Sequence, residues 1–313
     1  MTYIPRMYLY KDGKVRRRAV KLRFASGVYQ QPPFYREMRD IEGNFNPNVK
    51  NQKSFHAVLG TDIFFHMWER KSPFKFTAEA YYKYLWHVNP YEIDNVRLRY
   101  YANNNATAMA YGLDMKIHGQ FIKGIESYFK LGLMSTKEDI NNDFYVTNFN
   151  QNGDTIIPGY TADDSVVTSN TTFPGFIPRP SDQIFTIGVL FQDRMPKFEQ
   201  LSVSLSAIFG SKLPYGPPGY DRYKDTVRAP SYFRVDIGFQ YDFLYKMKQK
   251  PEQSRKKFWN KFDNIILSFE VFNLLGINNV ISYRWVEDVE GRNYAVPNYL
   301  TNRRFNVKLN ISW

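Results

Sequence analysis

The chain has no cysteine. A disulfide framework and a thiolate metal site are therefore both excluded. It also has no run of the roughly 18 consecutive apolar residues that a membrane helix needs, which excludes a helical membrane protein. The opening residues, MTYIPRMYLYKDG, carry no apolar run behind a basic patch and do not read as a signal peptide. No phosphate-binding glycine loop, His-Glu-x-x-His or Gly-x-Ser-x-Gly element occurs, and no motif implies a cofactor. His56, His66, His87 and His118 fall on different strands or strand ends without ligand spacing. They read as interfacial or strand-face residues, and no metal centre is expected from them. The formal net charge is +12, yet the basic residues do not gather on one recognisable nucleic-acid module. No nucleic-acid partner is expected; the charge points to solvated basic turns, cationic walls or an anionic ligand.

What the chain has in quantity is rings: aromatics are 18% of its 313 residues, with 24 Tyr and 26 Phe. Hydrophobic residues make up 43%, but mean hydropathy is negative, so apolar positions are spread thinly among polar ones. Barrels that meet lipid headgroups use many rings as interfacial girdles.

The thin spread has a period of two. Phe233, Val235, Ile237, Phe239, Tyr241 and Phe243 alternate with Arg234, Asp236, Gly238, Gln240 and Asp242. Phe305, Val307, Leu309, Ile311 and Trp313 alternate with Arg304, Asn306, Lys308, Asn310 and Ser312. Successive side chains of a strand point to opposite faces, so each segment reads as a strand with one apolar and one polar face. The pattern recurs at 20–24, 55–65, 74–86, 111–121, 185–191 and 201–209. Several of these segments reach the roughly 9–11 residues that a tilted strand needs to cross hydrocarbon.

A soluble β-sandwich also alternates, but its connections are evenly short. Here 11–14, 68–73, 120–124 and 194–198 read as tight turns, whereas 30–52, 88–104, 137–180, 211–228 and 288–301 are long. Short and long connections in alternation place the two ends of the sheet in different surroundings, as in outer-membrane barrels. One basic segment, 246–262, is long on the short side; it reads as solvated, with Trp259 and Phe262 docking at headgroup level. The strands are expected at 3–10, 15–29, 53–67, 74–87, 105–119, 124–137, 181–193, 198–210, 229–245, 262–287 and 302–313. An eleven-stranded open sheet would leave two unpaired edges in lipid, where each unsatisfied backbone group costs several kcal/mol. Single-chain bacterial barrels carry even counts, about 22 in the large transporters. The expectation is therefore an all-β, antiparallel transmembrane β-barrel domain over 1–313, forming strands 12 to 22 of a longer one.

The segments APSYFRVDIGFQYDF, LSFEVFNLLGINNVISYRW and NYAVPNYLTNRRFNVKLNISW resemble the end of TonB-dependent outer-membrane receptors. Asn273, Leu274, Leu275 and Gly276 match that family's Asn-Leu-Phe-Asp element, with Leu-Gly for Phe-Asp as in receptors of the Bacteroidota. FASGVYQQPPFYREMRD, FKFTAEAYYKYL and LPYGPPGYDRYKD resemble the same group. The resemblance implies a 22-stranded outer-membrane barrel that imports a ligand, with an N-terminal plug in its lumen. It implies as partners the membrane lipid, the plug and N-terminal barrel half absent from these residues, the TonB–ExbB–ExbD complex and a surface lipoprotein.

Candidate ligand contacts lie in two aromatic loop clusters. One comprises Tyr29, Gln31, Phe34, Tyr35, Arg36 and Glu37, the other Tyr215, Tyr220, Arg222 and Tyr223. Rings beside hydrogen-bonding groups suit stacking on a sugar, an aromatic chelator or a peptide, and equally suit packing of loop against loop. Lys21, Arg23, Arg234, Asp236, Arg304 and Lys308 are expected to face the lumen and the plug. Asp139, Asp143 and Asp154 could hold calcium, although their spacing is not that of the regular calcium loop. Alternatives from other classes are a porin-like or structural barrel module without TonB coupling, and an outer-membrane enzyme. No clustered nucleophile and base supports the enzyme.

Overall fold

Period-two segments with β-branched and aromatic residues become strands because one face of a pleat can hold all the large apolar groups. A computed structural model describes residues 1–3, 6–11, 14–67, 73–122, 125–157, 159–195, 197–217, 224, 226–249 and 261–313. In chain order the strands are β1 (Thr2–Tyr3), β2 (Arg6–Lys11), β3 (Lys14–Gln31), β4 (Gln52–Phe65), β5 (Phe74–Val88), β6 (Tyr91–Asp94) and β7 (Arg97–Tyr100). They continue with β8 (Ala106–Ile122), β9 (Ile125–Ile140), β10 (Tyr145–Phe149), β11 (Thr168–Thr172), β12 (Ile177–Pro178) and β13 (Phe185–Met195). The remainder are β14 (Phe198–Gly210), β15 (Pro214–Tyr215), β16 (Val227–Arg228), β17 (Tyr232–Asp242), β18 (Asn264–Phe272), β19 (Val280–Glu287), β20 (Asn293–Tyr299) and β21 (Arg304–Ser312). A 3-10 turn covers Tyr35–Met38, and one short helix, α1, covers Tyr245–Lys248.

One antiparallel sheet dominates. Its path runs β1-β3-β4-β5-β8-β9-β13-β14-β17-β18-β21, with β2 also on β3 and β12 on β9. The path starts at β1 and ends at β21, and no pairing joins those two among the described residues. At one rim the strands close tightly: Lys11 pairs with Lys14, Phe65 with Phe74, Ile122 with Ile125 and Met195 with Phe198. The turn residues 12–13, 68–72, 123–124 and 196 lie outside the described residues. The opposite rim carries the long connections, and four of them fold into hairpins of their own: β6-β7, β10-β11, β15-β16 and β19-β20.

The expected strand 262–287 is two strands. β18 stops at Phe272, and β19 belongs to the separate β19-β20 hairpin. The break is chemical. Asn273 takes φ 53° and Gly276 φ 67°, left-handed values that Asn and Gly tolerate best. The Asn273 side chain closes the turn, accepting from the Ile277 N–H (3.1 Å) and donating to the Ile277 carbonyl (2.9 Å). Asn279 then copies a strand neighbour, accepting from the Phe233 N–H and donating to the Phe233 carbonyl, both at 2.9 Å. The long connection is thus 273–303, not 288–301.

Register partners of an antiparallel pair point to the same side. Val20, Ile63, Phe76, Ile117, Phe129, Val189, Ala207 and Val235 are successive partners across eight strands. Val20 and Phe74 are buried there, but much of that face is uncovered: Leu59 is 60% exposed, Phe305 68% and Val307 67%. The buried apolar cluster lies elsewhere, at the long-loop rim, where Val88, Tyr101, Ala106, Ala108, Ile140 and Ile177 pack together.

Candidate ligand site at the long-loop rim

The first aromatic cluster is largely self-satisfied. Tyr29 lies against the His56 ring, centroids 4.5 Å apart, and Gln31 is the last residue of β3, in register with Gln52. Phe34 and Tyr35 are exposed, and Arg39 lies over the Tyr35 ring at 5.0 Å. Arg36 reaches out of the cluster, its Nη2 donating to the Leu98 carbonyl at 2.9 Å. Glu37 is buried rather than facing solvent. Its carboxylate accepts the Phe34 N–H (3.0 Å), and its carbonyl accepts from Asn89 Nδ2 (2.7 Å). Glu37 therefore fastens the 32–51 connection to its neighbour, a structural task that the loop composition did not foretell.

The second cluster encloses space. Tyr215, from β15, lies parallel to Tyr283 of β19, with centroids 4.1 Å apart and planes at 15°. Trp285 follows on the same strand, 5.9 Å from Tyr215. Residues two apart on a regular strand share a face, so Tyr283 and Trp285 form one wall, with Ile281 beside them at the register shift between Val280 and Ser282. They line a cavity of ≈ 340 Å³ closed from the other sides by Leu213, Pro178 and Tyr232. Burial raises the Tyr283 phenol, and the Tyr215 phenol beside it adds to the rise. Tyr220, Arg222 and Tyr223, expected in this cluster, lie outside the described residues.

Tyr283, Trp285 and Ile281 were hidden in the sequence by the assumption of one long strand over 262–287. The signal that could have exposed them is the run Asn273-Leu-Leu-Gly-Ile-Asn-Asn279, whose Asn and Gly punctuate an otherwise regular alternation.

Ion pairs brace the cavity from below. Arg179 Nε meets Glu138 Oε2 at 3.0 Å, with the Glu138 side chain fully buried. Arg228 Nη2 meets Asp182 Oδ2 at 2.5 Å, and the Thr136 N–H donates to the other Asp182 oxygen at 2.7 Å. These contacts tie the 141–184 and 211–231 connections to β9. Higher up, Asn298 Nδ2 donates to Asn95 Oδ1 at 2.5 Å, and Arg292 Nε donates to the Gly159 carbonyl at 2.6 Å. The connections that carry Asn95 and Gly159 are thereby stapled to the β19-β20 hairpin.

The residues expected to face the lumen share the polar side of the sheet. Lys21 is in register with Asp62, and Asp62 with Thr77. Arg23 bridges Asp62 (3.4 Å) and Glu79 (2.9 Å), while Lys75 reaches Asp62 at 3.2 Å. Arg234 and Asp236 are engaged with each other at 2.7 Å, and Asp236 also accepts the Asn273 N–H at 2.8 Å. Arg304 and Lys308 stand exposed on β21. Asp139, Asp143 and Asp154 are not gathered into a cation site: no three acids or histidines form one among the described residues. Burial, then the charge of Asp139, raises the Asp143 carboxyl.

No helix among the described residues is long and apolar enough to cross a membrane, which says nothing of strands. No family model matches the chain, and no curated protein matches it in sequence. Among solved structures its fold is similar to that of the ferric-catecholate import receptor Fiu from E. coli K12 in its closed form, with a TM-score of 0.50 at 15% identity. The match covers 96% of this chain and 35% of that one, so the chain spans about a third of the receptor's length. At that identity the likeness is one of fold.

Proposed function

We propose that the chain is one sector of an outer-membrane β-barrel receptor of the TonB-dependent kind, which imports a ligand captured at the long-loop rim. The observation that carries this reading is the uncovered apolar face. A water-soluble sheet hides such a face under a second layer, because every 100 Å² of apolar surface left in water forgoes roughly 2.5 kcal/mol. Lipid removes that cost, and β3, β5, β8 and β9 are longer than the roughly 9–11 residues a crossing needs. Rings near the long-loop rim, including Phe185, Phe209 and Phe233 at successive centroid spacings of 5.3 and 6.2 Å, suit a headgroup girdle.

Further strands would pair with the free edges of β1–β2 and β21 and close the barrel. The partners of the reading are outer-membrane lipid, a plug domain and N-terminal barrel half, the TonB–ExbB–ExbD complex and a surface lipoprotein. The reading assigns the chain transport and no catalysis. That Fiu is an import receptor supports import here; the ligand is a separate question, since fold does not fix function. The porin-like alternative needs a sheet that closes on itself and conducts.

The test is fractionation of membranes with detection by an antibody to the last strand. Recovery in the outer membrane after alkaline carbonate washing is expected; recovery in the soluble fraction would end the proposal. Steady ion conductance by the protein in planar bilayers would favour the porin-like module.

A further inference from the structure

The cavity at the rim has a chemistry at odds with the basic chain around it. Although the protein carries a net charge of +12, the described lining contains neither lysine nor arginine, and its charged residue is an acid, Glu92. Three polar side chains in the wall, Gln183, Ser211 and Ser282, are engaged with neighbouring protein groups. Gln183 Nε2 donates to the Ser211 carbonyl (3.0 Å), Ser211 Oγ accepts the Phe185 N–H (3.0 Å), and Ser282 Oγ accepts from Asn298 Nδ2 (3.1 Å). Meanwhile Ile93, Leu213, Ile281 and Leu300 are 38–54% exposed there, an uneconomical placement for four aliphatic residues unless something covers them.

We infer that this cavity binds an uncharged small molecule through a flat ring, laid on the Tyr215–Tyr283–Trp285 wall and covered by aliphatic side chains. The inference rests on the receptor reading and names the ligand class for its rim. A volume of ≈ 340 Å³ suits one or two fused rings. Among the described lining residues no lysine or arginine would meet an anion, which would lose its hydration on entry, a cost that a neutral ring avoids.

Three indoles of similar shape test this by calorimetry on the protein isolated from membranes in amphipol at pH 7.5: indole-3-carboxamide, indole-3-carboxylate and indol-3-ylmethylammonium. The carboxamide should bind, with the carboxylate about tenfold weaker or worse. Tyr215→Ala should weaken the carboxamide roughly fivefold. Ile281→Lys, at a half-exposed position that tolerates charge, should turn the preference toward the carboxylate. The inference is overturned if no probe binds, if either ion binds as well as the carboxamide, or if neither substitution changes binding. Membrane recovery without selective carboxamide binding would remove this inference alone; selective binding by a soluble protein would remove the receptor reading alone.

Discussion

Two neighbouring rows of residues cross the same eight strands. One runs Val20, Ile63, Phe76, Ile117, Phe129, Val189, Ala207 and Val235; the next, one residue along each strand, runs Lys21, Asp62, Thr77, Lys116, Lys130, Gly188, Ile208 and Arg234. The first row belongs to a face with half-exposed large apolar side chains, the second to a face where Asp62 serves both Arg23 and Lys75. A one-residue step therefore changes the surroundings completely, so a one-residue slip of a strand would carry its charged residues onto the apolar face. On the reading proposed above, the apolar face meets lipid. The ion-paired face supplies partners from its own strands.

Adjacent positions on one strand break this comparison most directly. Leu309, 58% exposed, and Asn310 lie side by side on β21 but on opposite faces. Leu309→Arg should cost about 2–4 kcal/mol of folding stability in phosphatidylcholine vesicles, whereas Asn310→Arg should be near neutral. If the apolar face met water, both would fall within about 0.5 kcal/mol of the parent, since both sites are exposed. Equal and small effects in a denaturant titration would thus remove the asymmetry between faces.

The polar face is not merely wet, and glycine reveals how it is packed. A Cβ on Gly112 would lie 2.5 Å from the Tyr81 hydroxyl and would also strike the Leu133 carbonyl. On Gly60 the contacts are the ends of Arg23 and Glu79 at 3.3 Å, which can give way. Gly112→Ala should therefore lower stability by about 1–3 kcal/mol and Gly60→Ala by much less, read from the same titration. Similar losses at both would mean that the polar side chains are locked rather than adjustable.

Asp62 sharpens the comparison within the polar face. Its side chain is 6% exposed and receives Arg23, Lys75 and the Thr77 hydroxyl (2.9 Å). Asp62→Asn leaves the two cations without a shared counter-charge. Because both cations are themselves about a third exposed, water screens much of the loss, and about 1–2 kcal/mol is expected. Glu79, which holds Arg23 from the far side, makes Glu79→Gln the milder change.

How much of this could be read from the chain follows from how local each signal is. The faces were legible because alternation is a property of neighbours: Phe233 through Phe243 and Phe305 through Trp313 announce their strands without reference to anything distant. So was the division between short and long connections. The β19-β20 hairpin was not, because Val280 to Glu287 alternates like a spanning strand and its difference lies in the Asn273 turn before it. At the site, Tyr215 stood out by composition, but Tyr283 and Trp285 reach it only through register and loop packing, which no local pattern encodes. Glu37, expected at the ligand, and Asp236, expected toward the lumen, are both turned to structural use by tertiary hydrogen bonds.

The smallest expected effect concerns the far tip of that hairpin, which shares the cavity wall but none of the sheet's register. Asp288 accepts the Arg292 N–H (3.0 Å) and the Glu290 N–H (2.9 Å), and Tyr294 donates its hydroxyl at 3.2 Å. The Arg292 N–H above all holds the carboxyl below its usual value of 3.8, against the opposing effect of desolvation. A carboxyl lowered on folding adds stability that is present above its unfolded value and lost as pH falls through the folded one. Hydrogen exchange over 286–294, corrected for intrinsic rates, should be flat from pH 8 to 5 and lose protection only below the ordinary carboxylate range. Asp288→Asn should remove that acid dependence while leaving exchange in β21 unchanged. A tip whose protection ignores pH would show that the turn is held by Gly291 at φ 79° and by strand pairing, with the carboxylate a bystander.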